Sequence, residues 1–171
     1  SRVADELELS TYNGMLGAQH PSGRWWTYST PMDGVREASA HAIVFQARAG
    51  TPELNCCSVN GPRGLAMLAQ WAVMRSERGL AINHYGPGEV DVTTRGGRRI
   101  KLVQETQYPL DGHVRIRMIE ISPPEKTKAS PLALSLRIPA WSRETKLAVN
   151  GKPQENVRAG EYCEIERDWQ A

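Results

Sequence analysis

The hydrophobic pattern of the chain changes its period near residue 79. Before that point, residues 3–16 and 62–78 carry apolar side chains at the helical spacing of three and four positions. The second segment begins with Pro62, which suits the first turn of a helix, and is followed by Gly79, which suits the residue after a helix end. The pattern therefore predicts two helices in this part of the chain.

From residue 80 onward, apolar and polar side chains alternate, as in strands that have one face in water. Turn residues separate the alternating segments, and Asn150-Gly151 is a strong hairpin signal. The predicted strands are residues 80–85, 90–94, 100–104, 114–121, 132–138, 146–149 and 162–166. Short strands at this spacing predict an antiparallel β-sandwich.

The change of period places a domain boundary near residue 79. We assign residues 1–79 to the C-terminal part of a helical domain and residues 80–171 to a β-sandwich domain, so the chain is an α+β multidomain fragment. Two helices cannot close a hydrophobic core alone. The helical part is therefore expected to pack on the sheet domain, on a second copy in a homo-oligomer, or on N-terminal chain that is missing here. The absence of an initial Met fits a fragment.

The composition of the chain bears on which classes of molecule it could bind. A net charge of +2 over 171 residues favours neither nucleic acid nor an anionic membrane surface, and no apolar run is long enough to span a bilayer. Five Trp and five Tyr accompany one Phe. Flat aromatic faces with polar edges suit sugar sites, although packing is the commoner role of any single one. The compartment stays open between a bacterial cytoplasm and a periplasmic or secreted location.

The adjacent thiols of Cys56 and Cys57 are the sharpest chemical feature. They precede the helix predicted from Pro62, and the positive end of a helix favours thiolate, the form that attacks electrophiles and binds zinc. Neighbouring cysteines form a disulfide only with strain, and Cys163 is far away in sequence, so reduced thiols or a metal site are expected. The alternative is a buried thiol pair that packs at the start of the helix. The nearest further candidate ligands are Glu53 and His41.

Several segments together resemble one enzyme family. The run from Glu53 to Arg63, with Cys56-Cys57-Ser58-Val59-Asn60 at its centre, is similar to the Cys-Cys-x-x-Asn corner of glycoside hydrolase family 127, the β-L-arabinofuranosidase-like enzymes. Further matches in the same order along the chain are Glu8-Leu9-Ser10-Thr11-Tyr12-Asn13, Arg24-Trp25-Trp26-Thr27-Tyr28, Leu136-Arg137-Ile138-Pro139-Ala140-Trp141 and Val149-Asn150-Gly151-Lys152.

The resemblance implies both a fold and a mechanism. This chain would supply the last helices of an (α/α)6 catalytic barrel, followed by most of one β-sandwich. The implied enzyme is a retaining, zinc-dependent glycosidase that acts on terminal β-L-arabinofuranosides or related sugars. Cys56 would be the nucleophile, Cys56 and Cys57 would bind Zn²⁺, and Glu8 and Tyr28 would contact the sugar.

The chain departs from the family pattern in two respects. The family takes its other zinc ligands from a Glu-x-Cys motif upstream of the helix that carries Glu8, and no such motif precedes Glu8 here. The general acid/base Glu of the family is also expected upstream. We therefore expect these residues alone to be inactive and to bind zinc poorly. Ser58-Val59 replaces a Pro-rich version of the corner, which leaves the exact sugar open. The competing interpretations are a non-catalytic carbohydrate-binding or structural β-sandwich module and a zinc-stabilised interaction domain.

Overall fold

The computed structural model of the chain describes residues 1–23, 26, 56–122 and 131–170. The chain divides into two compact units. The helical unit is Glu6–Ala69, and the β unit consists of Ser1–Asp5 together with Gln70–Ala171. No helix within the described ranges is long and apolar enough to cross a membrane.

The first predicted helix is present, but its second half has a wider winding. The α-helix α1 spans Arg2–Leu9, and a π-helix over Ser10–Leu16 follows it directly. At the junction, the Thr11 hydroxyl donates to the Leu7 carbonyl oxygen at 2.7 Å. A side-chain donor on that carbonyl competes with the backbone N–H of a regular α-helix. Short π-helical turns are rare and often occur at functional sites.

The second helix, α2, spans Cys56–Ala72 and not the predicted residues 62–78. The two cysteines therefore lie in its first turn and do not precede it, while Pro62 lies inside the helix. Pro62 has no N–H to donate to the carbonyl of Ser58, so one bond of the ladder is absent. The predicted C-terminal turn is instead strand β1, Val73–Arg75. Its antiparallel pairing with the next strand overrides the local helical pattern.

All seven predicted strands are present, six of them with shifted ends, and the described residues contain two short strands in addition. The strands after β1 are β2 Gly79–Ile82, β3 Gly88–Thr93, β4 Arg99–Thr106, β5 Val114–Ile121, β6 Leu132–Arg137, β7 Ala148–Val149, β8 Lys152–Pro153 and β9 Tyr162–Arg167. They form a four-stranded sheet in the order β1-β2-β6-β9, a three-stranded sheet β3-β4-β5, and a β7-β8 hairpin. The α+β class is therefore confirmed.

The larger sheet is mixed, so the expectation of purely antiparallel pairing was wrong at one position. Strands β2 and β6 run parallel, with Leu80 opposite Leu134 and Ile82 opposite Leu136. Parallel neighbours need a long crossover connection, and here the β3-β4-β5 sheet lies within it. Alternation along a strand shows which face is buried but not the direction of its neighbour, which is why the sequence pattern did not reveal this pair.

Both the four-stranded and the three-stranded sheet contribute buried side chains to the core of the β unit. Leu80, Ile82 and Ile100 are fully buried, and burial of each such side chain contributes about 1.5 to 3 kcal/mol. The β7-β8 hairpin turns at Asn150 and Gly151, whose φ angles are 51° and 78°. Two positive φ angles match the type I′ turn that the Asn-Gly pair predicts.

A buried arginine links the N-terminal residues of the β unit to strand β6. Arg137 is fully buried, and it donates from Nε to the Asn83 carbonyl oxygen at 2.6 Å and from Nη1 to Oδ1 of Asp5 at 2.7 Å. Its guanidinium carbon lies 5.9 Å from the centroid of the Tyr85 ring. A buried charge requires such partners because it has lost its hydration. We call Asp5, Asn83, Tyr85 and Arg137 the Arg137 cluster.

Candidate active site

The structure brings Cys56 and Cys57 together at the start of α2. Their Sγ atoms are 4.0 Å apart, and neither thiol is in a disulfide. Cys56 is exposed and Cys57 is partly exposed, which disagrees with the alternative of a buried pair that only packs. The Asn60 side chain, one turn later, donates to the Cys56 carbonyl oxygen at 2.9 Å. The first turn of a helix favours negative charge, because its backbone N–H groups point outward without helical partners.

Two glycines in α2 let aromatic and sulfur-bearing side chains approach the helix closely. A Cβ at Gly61 would lie 2.6 Å from carbons of the Trp26 ring, and a Cβ at Gly64 would overlap the Met15 sulfur. The Trp26 indole N–H also donates to the Met15 carbonyl oxygen at 3.0 Å. These contacts support the turn of α2 that follows the cysteines. Our sequence interpretation missed this role, although a glycine inside a helical pattern can have a packing reason.

The spacing of the two sulfur atoms fits a zinc site. Tetrahedral zinc with Zn–S bonds of about 2.3 Å places two thiolate sulfurs about 3.8 Å apart, and the observed separation is 4.0 Å. The pair can therefore provide two of four ligands. Within the described parts of the chain, no group of three or more His, Cys, Asp or Glu side chains could hold a metal ion. The other candidates from sequence, Glu53 and His41, lie outside the described residues.

Of the two predicted sugar-contacting residues, the structure describes only one. Glu8 lies in α1, is 6% exposed, and belongs to the helical unit, as the cysteines do. Tyr28 lies outside the described residues, and of the predicted aromatic strand only Trp26 is described, in an isolated bridge with Gln19. A carboxyl group with so little exposure needs polar partners, which sets Glu8 apart from the acidic residues on the surface.

Three other residues with reactive side chains are either buried or engaged in an ion pair on the surface. Cys163 lies in β9, where burial raises the pKa of its thiol. His84 is buried. Glu89 pairs on the surface with Lys101 at 2.8 Å. The Cys56–Cys57 pair is therefore the best candidate for chemistry in the described chain.

Comparison with protein families decides the relationship. The sequence model described as "Beta-L-arabinofuranosidase, GH127 catalytic domain" matches residues 1–70, and "Beta-L-arabinofuranosidase, GH127 middle domain" matches residues 79–171. The chain belongs to glycoside hydrolase family 127. The resemblance that the Cys-Cys corner and the Arg-Ile-Pro-x-Trp segment indicated is thus confirmed.

Relatives of this family 127 chain are longer proteins. It is 27% identical over 155 residues to the non-reducing end β-L-arabinofuranosidase of Bifidobacterium longum subsp. longum, an alignment that covers 88% of this chain and 23% of that protein. A solved structure titled "Glycoside hydrolase" matches with a TM-score of 0.77, 29% identity and coverage of 99% of this chain and 27% of the other.

A second solved structure, the family 127 β-L-arabinofuranosidase from Geobacillus stearothermophilus T6, gives a TM-score of 0.75 and 29% identity and covers 99% of this chain and 26% of the other. The chain thus spans about a quarter of the length of these relatives.

Proposed function

We propose that this chain is part of a retaining, zinc-dependent glycoside hydrolase that releases terminal β-L-arabinofuranosyl groups, with Cys56 as its nucleophile. The observation that carries the proposal is the exposed thiol of Cys56, next to a second sulfur at 4.0 Å in the first turn of a helix. The names of two relatives support the choice of sugar. We further propose that residues 1–79 complete an (α/α)6 barrel in a longer protein and that residues 80–171 form one of its β-sandwiches.

In the proposed reaction, the Cys56 sulfur attacks the anomeric carbon of the arabinofuranosyl group. The carbon–sulfur bond forms as the bond to the leaving oxygen breaks, and a general acid from outside this chain protonates that oxygen. Water then attacks the same carbon and gives a proton to the conjugate base of that acid, which releases arabinose and returns the thiolate. The configuration is therefore retained after two displacements. A covalent intermediate of this kind divides one difficult step into two easier ones.

The other residues of the site have supporting roles in this proposal. Cys56 and Cys57 would hold zinc, which when bound supplies a positive charge that keeps a thiol deprotonated near neutral pH. Glu8 would accept hydrogen bonds from sugar hydroxyls, because an ionised carboxylate is an acceptor with two oxygens. Tyr28 would contact the sugar with its ring. The low exposure of Glu8 supports its assignment, since a buried carboxylate is held in a fixed position.

We expect Cys56 to react with iodoacetamide at pH 7.5 at least about tenfold faster than Cys163, because the reactive species is an accessible thiolate. Cys56 is exposed, whereas Cys163 is buried and has a raised pKa. Peptide mapping by mass spectrometry after timed quenching measures both rates in one sample. Labelling in guanidinium chloride is the control, and there the difference should vanish. Equal rates in the native protein would favour the non-catalytic β-sandwich module.

We expect the 171-residue chain alone to release no 4-nitrophenol from 4-nitrophenyl β-L-arabinofuranoside. The full-length protein should cleave it and should lose about 10³-fold or more in kcat/KM on Cys56→Ser, as nucleophile loss does in other covalent mechanisms.

Zinc titration of the isolated chain should show only weak binding, because two thiols are half of a zinc site. Cleavage or tight stoichiometric zinc binding by the isolated chain would show that it holds the missing groups. A full-length Cys56→Ser variant that keeps its activity would exclude Cys56 as the nucleophile.

A further inference from the structure

Three aromatic rings form a row in the β unit. The rings of Tyr85 and Tyr108 meet edge to face, with centroids 5.9 Å apart, and the rings of Tyr108 and Trp141 stack at 6.3 Å with 25° between their planes. Both tyrosines are buried, whereas Trp141 is 63% exposed. The row therefore ends in an indole that rests on a buried ring and presents most of its surface to solvent.

A cavity of about 810 Å³ opens beside this row, and all three rings line it. Ligand sites for small molecules range from about 300 to 1,000 Å³. Apolar side chains such as Leu102 and Leu134 form part of the wall. Its charged and ring-nitrogen groups come from His113, Arg115, Arg117, Arg137, Glu144 and Lys146. Apolar walls combined with polar groups that fix the orientation of the ligand are usual in small-molecule sites.

Hydrogen bonds and ring contacts hold the aromatic row in place at both of its ends. The Tyr85 hydroxyl donates to the Arg137 carbonyl oxygen at 2.5 Å, and the buried Arg137 guanidinium lies over the Tyr85 ring. At the exposed end, the Ser142 N–H donates to the Pro139 carbonyl oxygen at 3.0 Å, which closes a turn around Trp141. A fixed platform loses little conformational entropy when a ligand binds. The Arg-Ile-Pro-x-Trp segment, residues 137–141, thus contributes both Arg137, which contacts the buried end of the row, and Trp141, its exposed ring.

We propose that Trp141, supported by Tyr108, is a stacking platform for a sugar ring and that the adjoining cavity is a carbohydrate-binding subsite of the β unit. The C–H face of a sugar packs on an indole face, and its hydroxyls bond to polar groups such as Glu144 and His113. The choice of arabinosides as probes rests on the proposed function, whereas the inference of a stacking platform rests on the geometry and exposure of the rings.

The test is a titration of the 171-residue chain with methyl β-L-arabinofuranoside, arabinotriose and xylotriose, followed by calorimetry and ¹H–¹⁵N spectra. We expect at least one sugar to shift the indole N–H resonance of Trp141. Trp141→Ala should weaken binding by about tenfold or more, as for other truncated anchor residues. Trp141→Phe should retain most of the affinity because it keeps a flat face. Leu110→Ala is the matched control, because Leu110 is 93% exposed and does not line the cavity.

Two results would overturn the subsite: no binding of any of the three sugars to the native chain, or equal binding by the native and Trp141→Ala chains when circular dichroism shows both folded. A Cys56→Ser chain separates this proposal from the proposed function. Binding that needs Trp141 but not Cys56, in a protein whose Cys56 is inert to alkylation, supports the subsite and contradicts the catalytic role. Binding that needs Cys56 but not Trp141 contradicts the subsite alone.

Discussion

Replacement of Arg137 by alanine is expected to lower the free energy of unfolding by about 3 to 5 kcal/mol, the usual cost of removing one partner from a buried ion pair. Arg137 has no exposed side-chain surface, and the Asp5 carboxylate that it contacts is only 19% exposed. Without the guanidinium, Asp5 loses its cationic partner and keeps only the neutral donors Ser1 and Ala140, and the Asn83 carbonyl oxygen loses the Arg137 donor. Urea unfolding followed by circular dichroism measures the change.

The matched control for this experiment is Arg78→Ala. Arg78 also forms ion pairs, with Glu164 and Glu166, but its side chain is well exposed. Exposed pairs contribute up to about 1 kcal/mol, so this variant should be much closer to the native protein. If both substitutions lower the free energy of unfolding by similar amounts, the buried Arg137 cluster stabilises the protein no more than an exposed ion pair does.

Substitution of Gly79 by alanine should destabilise the chain by about 3 kcal/mol. A Cβ at this position would overlap the carbonyl oxygen of Ala133 in the neighbouring strand β6. The obstacle is backbone, so the two parallel strands must separate before the methyl group fits. The midpoint of urea unfolding reports the loss.

Gly88→Ala provides the comparison, because Gly88 also begins a strand but a Cβ there meets nothing within 4 Å. This variant should be neutral or more stable by up to about 1 kcal/mol, since alanine restricts the unfolded chain. If Gly79→Ala is also neutral, close approach of β2 and β6 cannot be the reason for glycine at that position.

The sequence predicted the strands well because the smaller sheet has a simple structure. In β5, residues 114–118 alternate in exposure as they alternate in polarity, and the Asn150-Gly151 turn has the backbone angles that its residue types favour. These features depend on the local chain. The parallel pairing of β2 with β6 depends on the path of the chain between them, and no residue pattern within either strand records that path.

The errors around α2 have a physical cause as well. Residues 73–75 continue the apolar spacing of the helix, so they satisfy a helical and an extended pattern equally well, and pairing with β2 decides between the two. Pro62 pointed to a helix start because its ring fits best in a first turn. The structure tolerates it further inside, so α2 begins at Cys56.

The candidate site was predictable only as far as its chemistry is local. Cys56 and Cys57 are neighbours in sequence, and the structure adds their exposure and the 4.0 Å between their sulfurs. The packing of Trp26 on Gly61 joins segments that are distant in sequence, and no spacing rule connects them. The roles of Glu8 and Tyr28 came from the family resemblance and stay predictions.

The parallel pair also has a consequence for how this chain reaches its native state. Roughly 50 residues separate β2 from β6, and contacts between such distant segments form slowly because a large loop must close first. The β3-β4-β5 meander pairs only sequence neighbours. We therefore expect the β3-β4-β5 meander to assemble early on the folding pathway. The larger sheet should form later, when the chain between β2 and β6 has closed its loop and these two strands can pair.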